Sequence, residues 1–499
     1  MCGIAGIRFG EGNHADQVKK IVKLMEKTSL RGQDGYGIVS VKTGKYFKSK
    51  QLPTGEEPFF NLDFSGDIVI LNARAQPMTE VASTDIESLQ PILKDGYVLA
   101  HNGVVSNDVE ICEKYGFDVT LDSEIIVDLL NLYTTDGTLR FESGTLGNKV
   151  LSQLSGGFAF ALAKVGNTNE LVLVKDFKTL WYGTDKNDFY FASEKQFLEE
   201  VFGKEGIFSR NRIENIEPYT VNYINFMEFE HKEIKFETKV ISSLPPKNDN
   251  LVLVCASGGI DSSTSAYVAK KLEGKDVVMA FFDMGQKSAE REWESVQAIA
   301  EDLGAITKYI DIKWLGELGK SVLTDPSLPI PKSEKTNIKS TVCWTPARNL
   351  AMMSILVALA ESIGASAIYN GWTLEEGGSY PDNSDEFFRT FNEMLPYGTL
   401  TRPEITMVLQ RLMKTEIIQL GQYLGLDYSK TWSCDDGQAY HCGECGACFL
   451  HHYAFDMAGV EDPTLYIDFN PSYTPEWVQK GQTKPGNIRD IIKRLNIRG

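Results

Sequence analysis

The sequence lacks any stretch long and apolar enough to cross a bilayer as a helix. Its most apolar run, LAMMSILVALA at 350–360, ends at Glu361 after eleven residues, where about 20 are needed. That run reads as a core helix. No segment has the biased, polar composition of a disordered tract, and no motif recurs at a fixed period, which excludes a solenoid or propeller. Positive charge is in deficit: 50 Lys and Arg stand against 68 Asp and Glu, for a net charge of −18. That balance speaks against broad affinity for nucleic acid, though not against a local basic groove. A disulfide framework is missing too, since four of the eight cysteines fall between 434 and 448 and the others are scattered. With no secretory signal at the start, the expected location is the cytoplasm. The basic tail NIRDIIKRLNIRG (487–499) reads as a solvated last helix.

What is present is enough chain for two or three domains, at 499 residues and 42% hydrophobic. Residues 1–238 hold short strand-like runs (DIVILNARA, GYVLAHNGVV, SGGFAFALAKV, NELVLVKD, DFYFASE) and two helical stretches, ADQVKKIVKLMEKTSL and SEIIVDLLNLY. This is the texture of a layered α+β domain. A Pro-containing linker is expected at 239–250. From 251 to about 458 apolar strands alternate with amphipathic helices, the mark of a parallel, doubly wound α/β sheet whose ligands bind at the strands' carboxyl ends. A C-terminal tail, 459–499, would follow.

The chain opens MCGIAGI. A residue at position 2 is ordinarily frayed and carries no chemistry. Here Ile4, Ala5 and Ile7, threaded with Gly3 and Gly6, suit a buried first strand that would hold Cys2 in place. Removal of Met1 would put a free α-amine, with an ordinary pKa of about 7.7 to 8.0, on the residue that carries the thiol. One residue would then supply both nucleophile and base.

In the second half, LVLVCASGGIDSSTSAY runs from a buried strand through a glycine pair into a helix. Such a turn aims backbone N–H groups and serine hydroxyls at one point ahead of a helix N-terminus, a natural seat for an anion. It lacks the Lys of GxxxxGK[ST], which excludes a kinase-like P-loop. Further on, Cys434, Cys442, Cys445 and Cys448 are spaced C-x7-C-x2-C-x2-C, sufficient for a closed tetrahedral zinc site within 431–450. With no coordination position left open, such a zinc would be structural, and His441 beside it would be a bystander.

Taken together, MCGIAGI, RGQDGYG (31–37), NARA around Arg74, HNGVVSN (101–107), Asp122 in LDSEII, SGGFAFAL and the ASE ending at Glu194 resemble class II glutamine amidotransferases of the N-terminal-nucleophile hydrolase superfamily. The resemblance implies an αββα sandwich in which Cys2 attacks the glutamine side-chain amide. The Asn102 side chain and the Gly103 N–H would form the oxyanion hole, Arg74 would clamp the substrate carboxylate, and Asp122 its amine. One departure follows Arg74, where AQPMTE lacks the Trp and His of some relatives. SGGIDSS resembles the pyrophosphate loop of N-type ATP pyrophosphatases, which implies that Ser257, Gly258, Gly259, Asp261, Ser262 and Ser263 bind ATP with magnesium.

The set DMGQK (283–287), PARN (346–349), Ala360-Glu361, GSYPDNSDEFF (378–388), MKTEI (413–417) and the cysteine module resembles 7-cyano-7-deazaguanine synthase, QueC. In that family ATP activates a carboxylate, ammonia gives the amide, and a second activation gives the nitrile. Arg348, Asn349 and Asp382 are the expected substrate contacts, and a homodimer is suggested. Asn383 and Ser384 stand where such enzymes have Cys-Arg, and His451 where they have Arg, which suggests a changed ligand. The fused arrangement resembles the glutaminase-QueC amidotransferases linked to archaeosine. The acceptor would be a 7-deazaguanine, free or in tRNA or DNA, and the product a nitrile, amide or amidine. An asparagine-synthetase-like enzyme would also join a Cys2 glutaminase to SGGxDSS, but has no use for the cysteine module. An inert binding or sensor protein would have no need of Cys2, Asn102, Gly103 and a complete SGGIDSS.

Overall fold

The structure, a computed structural model, describes residues 2–52, 64–75, 86, 89–134, 145–185, 187–208, 213–228, 230–239, 243–332, 340–374, 381–468, 487–495 and 497, without the side chains of 202–208 and 340–341. AQPMTE beyond Ala75 and residues 378–380 of GSYPDNSDEFF lie outside the described residues. The chain divides into two compact units, Met1–Ile241 and Ser242–Gly499.

The strands of the first unit are β1 (Gly3–Arg8), β2 (Gly35–Ser40), β3 (Tyr46–Ser49), β4 (Ile68–Arg74), β5 (Ile92–Lys94), β6 (Tyr97–Val105), β7 (Gly156–Lys164), β8 (Asn167–Lys175), β9 (Trp181–Thr184), β10 (Phe189–Ala192), β11 (Ile213–Asn215), β12 (Thr220–Asn225) and β13 (Glu230–Lys235). They form two antiparallel sheets, ordered β11-β9-β10-β1-β4-β2-β3 and β13-β12-β8-β7-β6-β5. The two-residue period of a strand sorts their faces. Ile4 of β1 and Ile68 and Ile70 of β4 pack with Val98, Ala100, Ala159 and Ala161 of the second sheet, so the sheets share a core. The residues between them, Ala5, Ile7, Val69, Leu71 and Ala73, face the other way.

Helices α1 (His14–Thr28), α2 (Asp108–Tyr115), α3 (Glu124–Tyr133) and α4 (Lys195–Phe208) close the outer faces. From α1, Val18, Ile21 and Leu24 cover the first sheet, at the spacing of one helix face, together with Phe197 and Leu198 of α4. Ile111 of α2 and Ile125, Ile126 and Leu129 of α3 cover the second. The layers run α, β, β, α, as the sequence implied. Helix α1 starts where the Asn13 side chain accepts the Ala15 N–H at 2.8 Å, satisfying a donor that the helix itself cannot.

The second unit holds one parallel sheet of β14 (Asn248–Cys255), β15 (Asp276–Asp283), β16 (Ile306–Asp311), β17 (Ala365–Asn370) and β18 (Glu404–Met407), ordered β16-β15-β14-β17-β18. Its helices are α5 (Ile260–Tyr267), α6 (Ala289–Leu303), α7 (Lys313–Glu317), α8 (Arg348–Ile363), α9 (Asp385–Gly398), α10 (Lys414–Leu424), α11 (Gly446–Ala458) and α12 (Ile488–Lys493). Both faces are buried, as continuous apolar strands require. Val252, Val254, Val277 and Met279 pack with α5, α6, α10 and α11. Leu253, Val278, Ala280 and Phe282 pack with α7, α8 and α9. LAMMSILVALA lies in α8 and buries Met353, Leu356, Val357 and Ala360. Chain order reverses between β14 and β17, which opens a crevice at their carboxyl ends. Among the described residues, no helix is long and apolar enough to cross a membrane.

The last helix corrects the reading of a solvated terminus. Ile491 is fully buried and Leu495 nearly so, both in the core shared with α10 and α11, while Arg494 pairs with Glu416 of α10. Ile488, Ile491, Ile492 and Leu495 recur at helix spacing, and the basic residues between them mask this apolar face. Ile491→Ala should therefore lower stability by about 2–4 kcal/mol in urea unfolding. Exposed Lys493→Ala should change it by less than about 0.5 kcal/mol. Equal, small effects would mean that the helix is not docked.

Candidate active site

At one end of the facing sheets the structure gathers the residues expected to handle glutamine. Gly3 of β1 pairs with Ala73 of β4, and continuing that register sets Cys2 beside Arg74. Arg74 is buried and belongs to the same strand face as Ile68 and Ile70, the face turned to the second sheet. Asn102 is two residues beyond Ala100 on β6 and pairs with Ala159 of β7, so it looks into the same space. The two strand ends are tied together by Gln90. Its Oε1 accepts from Asn72 Nδ2 at 3.5 Å, opposite Ile4 on β1, and from the His101 N–H at 2.6 Å.

Asn102 is fully buried, yet neither its Nδ2 nor its Oδ1 has a hydrogen-bond partner. A buried amide left this way costs on the order of 1–3 kcal/mol, which a ligand would recover. Gly103 follows with φ +149°, and a Cβ there would stand 2.0 Å from the Gly157 carbonyl oxygen, so no other residue fits. Asp122 sits just past this end of β6, accepting the Val105 N–H at 2.8 Å and the Ser123 hydroxyl at 3.0 Å.

Several neighbours carry no role in the sequence reading. Arg31, in RGQDGYG, donates from Nε to the Cys2 carbonyl at 3.2 Å and pairs with Glu194, which fixes the Cys2 backbone. The Cys2 thiol donates to the Ala75 carbonyl at 3.7 Å. His101 Nδ1 lies 2.6 Å from Ser123 Oγ. Ser123 Oγ also lies 3.0 Å from Asp122 Oδ1, so the hydroxyl joins the imidazole to the carboxylate, and burial lowers the His101 pKa. The signal for these residues was their adjacency to quoted motifs, not their type.

In the second unit SGGIDSS leaves β14 at the crevice. Ser262 Oγ accepts the Ser257 N–H at 3.1 Å, and Gly258, at φ +73°, is pressed against α6, where a Cβ would meet the Glu292 carbonyl at 2.6 Å. The Trp432 N–H holds the Gly258 carbonyl at 2.9 Å. Ser263 Oγ, Thr264 Oγ1 and Asp261 Oδ1 are buried without partners, while Asp261 Oδ2 pairs with Lys414 of MKTEI. Hydroxyls and backbone donors at the start of α5 suit a polyphosphate. Asp283, at the end of β15, is buried, which alone would raise its pKa. The Tyr309 hydroxyl, the Gly285 N–H and Lys313 hold it below the usual value instead.

Beyond the loop lies a cavity of about 200 Å³ lined by Cys343, Trp344, Thr345, Arg348, Asp382 and Asp435, with Leu323. Arg348 also reaches Cys255, the last residue of β14: burial pushes that thiol up to about 12, and the guanidinium pulls it back. Burial pushes Asp435 up to about 6, Glu292 and Cys442 add to this, and a hydrogen bond with Cys445 and, more weakly, Arg348 oppose it. Of the expected substrate contacts, Arg348 and Asp382 line the cavity and Asn349 does not. The Asn349 amide is spent on the Asp382 carbonyl and the Asn383 side chain behind the wall. Nor do the departures from the QueC pattern reach the cavity. Asn383 holds Asn349, Ser384 caps α9 by accepting the Phe387 N–H at 3.2 Å, and His451 is buried against Ser433, Asp462 and Thr464. They give no ground for a changed ligand.

The sulfurs of Cys434, Cys442, Cys445 and Cys448 lie within 4.8 Å of one another. Backbone N–H groups point at them: Asp436 and Cys442 donate to Cys434, Glu444 and Cys445 to Cys442, and Cys448 to Cys445, at 3.3–3.4 Å. Donors of this kind favour thiolates, and four thiolates in a closed set fit a structural zinc. His441 stands aside, accepting the Ser433 N–H and packed at a tilt against Trp432.

Residues 251–459 match the family described as queuosine biosynthesis protein QueC, and residues 68–200 match a glutamine amidotransferase domain. A 7-cyano-7-deazaguanine synthase of Saccharolobus solfataricus is 34% identical over 484 residues, covering 93% of this chain and 99% of its own length. The chain belongs to the 7-cyano-7-deazaguanine synthase family. A second family member, 7-cyano-7-deazaguanine synthase 2 of Sulfurisphaera tokodaii, is 31% identical over 93% of this chain and all of its own. Among solved structures, a glutamine PRPP amidotransferase from B. subtilis aligns over 95% of the chain at 16% identity with a TM-score of 0.36, a distant likeness.

As a family member with this cysteine set, the chain should carry one zinc when purified without chelator. Cys445→Ser should lower zinc content and the melting temperature together. Metal analysis finding no zinc in the unmodified protein would refute the assignment.

Proposed function

We propose that the chain is a glutamine-dependent amidotransferase that releases ammonia at Cys2 and uses it, with ATP, to convert the 7-carboxylate of a 7-deazaguanine into the nitrile. The observation that carries the first half is the buried, unpartnered Asn102 amide on β6, at the end of the facing sheets where Cys2 lies. With Met1 removed, the Cys2 α-amine takes the thiol proton and the thiolate attacks the glutamine Cδ. Asn102 Nδ2 and the Gly103 N–H face the oxygen as it gains charge, ammonia leaves, and water cleaves the thioester. Arg74 binds the substrate carboxylate as a bidentate fork, and Asp122, held by Val105 and Ser123, binds its ammonium.

In the second unit, Ser257, Gly258, Gly259, Asp261, Ser262 and Ser263 bind ATP, with magnesium offsetting its charge. The acceptor carboxylate displaces pyrophosphate to form an acyl-adenylate. Ammonia attacks the carbonyl carbon and AMP departs, leaving an amide. A second ATP adenylates the amide oxygen, and loss of AMP and a proton gives the nitrile. Full-length relatives named for this product favour the nitrile over an amide or amidine. The four cysteines hold a structural zinc, which supplies cross-linking and no step of the reaction.

Cys2→Ala should abolish product formation from glutamine and preserve it with ammonium salts. Asn102→Ala should lower glutaminase kcat by about 10²–10³-fold. Asp261→Ala should cripple AMP and pyrophosphate formation with 7-carboxy-7-deazaguanine while leaving glutamine hydrolysis intact. Mass spectrometry that finds no 7-cyano product from that acceptor, ATP and ammonia would overturn the reading.

A further inference from the structure

The cavity at the start of α8 has an unusual lining. Arg348 shares it with two carboxylates, Asp382 and Asp435. Arg348 and Asp435 face the same cavity. Even so, neither carboxylate forms an ion pair with Arg348 among the described residues. Opposite charges in a partly buried space normally close on each other, because desolvation is otherwise uncompensated. Here about 200 Å³ of free volume is kept beside them. Thr345 adds a second sign of an absent ligand: it is 2% exposed, lines the cavity, and its Oγ1 has no partner. Trp344 contributes an aromatic wall.

The two acids are not equivalent. Asp382 Oδ2 faces the Asn349 N–H in the first turn of α8, at 3.4 Å, so it is committed to the helix. Asp435 follows the metal-ligating Cys434, and the cysteine cluster fixes its backbone. A group recognised here must offer paired N–H donors to one carboxylate and an acceptor or anion to the guanidinium, on a flat frame that suits an indole. A 2-amino-4-oxo-pyrrolopyrimidine carrying a 7-carboxylate is built that way. Its N1–H and 2-amino group form the donor edge, and its ring oxygen and 7-carboxylate lie together on another side.

Resting on the function proposed above, we propose that Asp435 is the specificity-determining residue for the acceptor: its carboxylate accepts from N1–H and the 2-amino group, while Arg348 takes the ring oxygen and the 7-carboxylate. The cysteine cluster thereby sets one wall of the acceptor site as well as bracing the fold. Thr345 Oγ1 satisfies itself on the ligand, and Trp344 packs on the heterocycle.

The test uses the full chain and two probes, 7-deazaguanine and 7-deazahypoxanthine, which differ only in the 2-amino group. Calorimetry should show the unmodified protein binding the first about ten- to a hundredfold more tightly, the span of one lost charge-assisted hydrogen bond. Asp435→Asn should erase most of that preference, with zinc content and melting temperature measured on the same sample. Equal binding of the two probes by the unmodified protein would overturn the proposal without recourse to any variant. So would an Asp435→Asn protein that keeps its zinc and retains the full preference, or one that loses affinity equally for both probes. These failures would still leave turnover of 7-carboxy-7-deazaguanine in place. If the unmodified protein neither binds nor turns over any 7-deazaguanine, the functional reading itself falls and this proposal falls with it.

Discussion

Both candidate sites stand toward the end of a buried strand, and backbone hydrogen bonding explains why. Inside a sheet each N–H and C=O is spent on a neighbour, so the core has no donor to offer a ligand. Only at the end of a strand does the ladder release groups that are still shielded from water. Asn102 lies three residues short of such an end on β6 and offers a side-chain amide that no partner consumes, while Gly103, still paired with β7, holds a backbone that only glycine adopts. SGGIDSS lies at such an end after β14, and the first turn of α5 adds donors that no helix can pair internally. The rest of each unit, including the small Ala100, Ala159 and Ala161 that let two sheets approach, serves to hold these ends in place.

A short segment links the cysteine cluster to the chemistry of the second unit. The Lys430 carbonyl accepts from Ser295 of α6 at 2.6 Å, the Trp432 N–H holds Gly258, Cys434 joins the cluster and Asp435 lines the cavity. These six residues touch a helix, the loop, the cluster and the cavity in turn. An error of position in the cluster would therefore reach the loop and the cavity together, which gives a physical reason for a structural metal so close to a small-molecule site.

Much of this was legible in the sequence because it depends on local pattern. The short apolar run in DIVILNARA and the helical stretch ADQVKKIVKLMEKTSL foretold β4 and α1 within a few residues, and the cysteine spacing foretold the cluster. What could not be read depends on tertiary adjacency. Asn349 sits beside Arg348 in PARN, yet its side chain turns into the wall and holds Asn383, while Asp435, an ordinary acid in SCDDGQ, reaches the cavity. Gln90 belongs to no motif and ties the two sheets. The departures at Asn383, Ser384 and His451 follow the same rule. A change of charge in a motif bears on a ligand only if the side chain faces it, and none of these three lines the cavity.

The proposed chemistry also constrains where recognition must fall. Carboxylate, amide and nitrile differ in charge and shape at the 7-position, and one loop with one cavity must carry the acceptor from the first to the second activation. A site that gripped chiefly the 7-substituent would hold the anion well and lose the neutral amide halfway. The donor edge of the heterocycle does not change through the sequence. A carboxylate fixed on that edge binds all three states alike, and leaves Arg348 and the loop free to act on whatever oxygen the 7-position presents. Anchoring on the invariant edge is thus what two successive activations in a single cavity require, and Asp435, set in place by the cysteine cluster, faces the cavity from an element separate from both the SGGIDSS loop and Arg348.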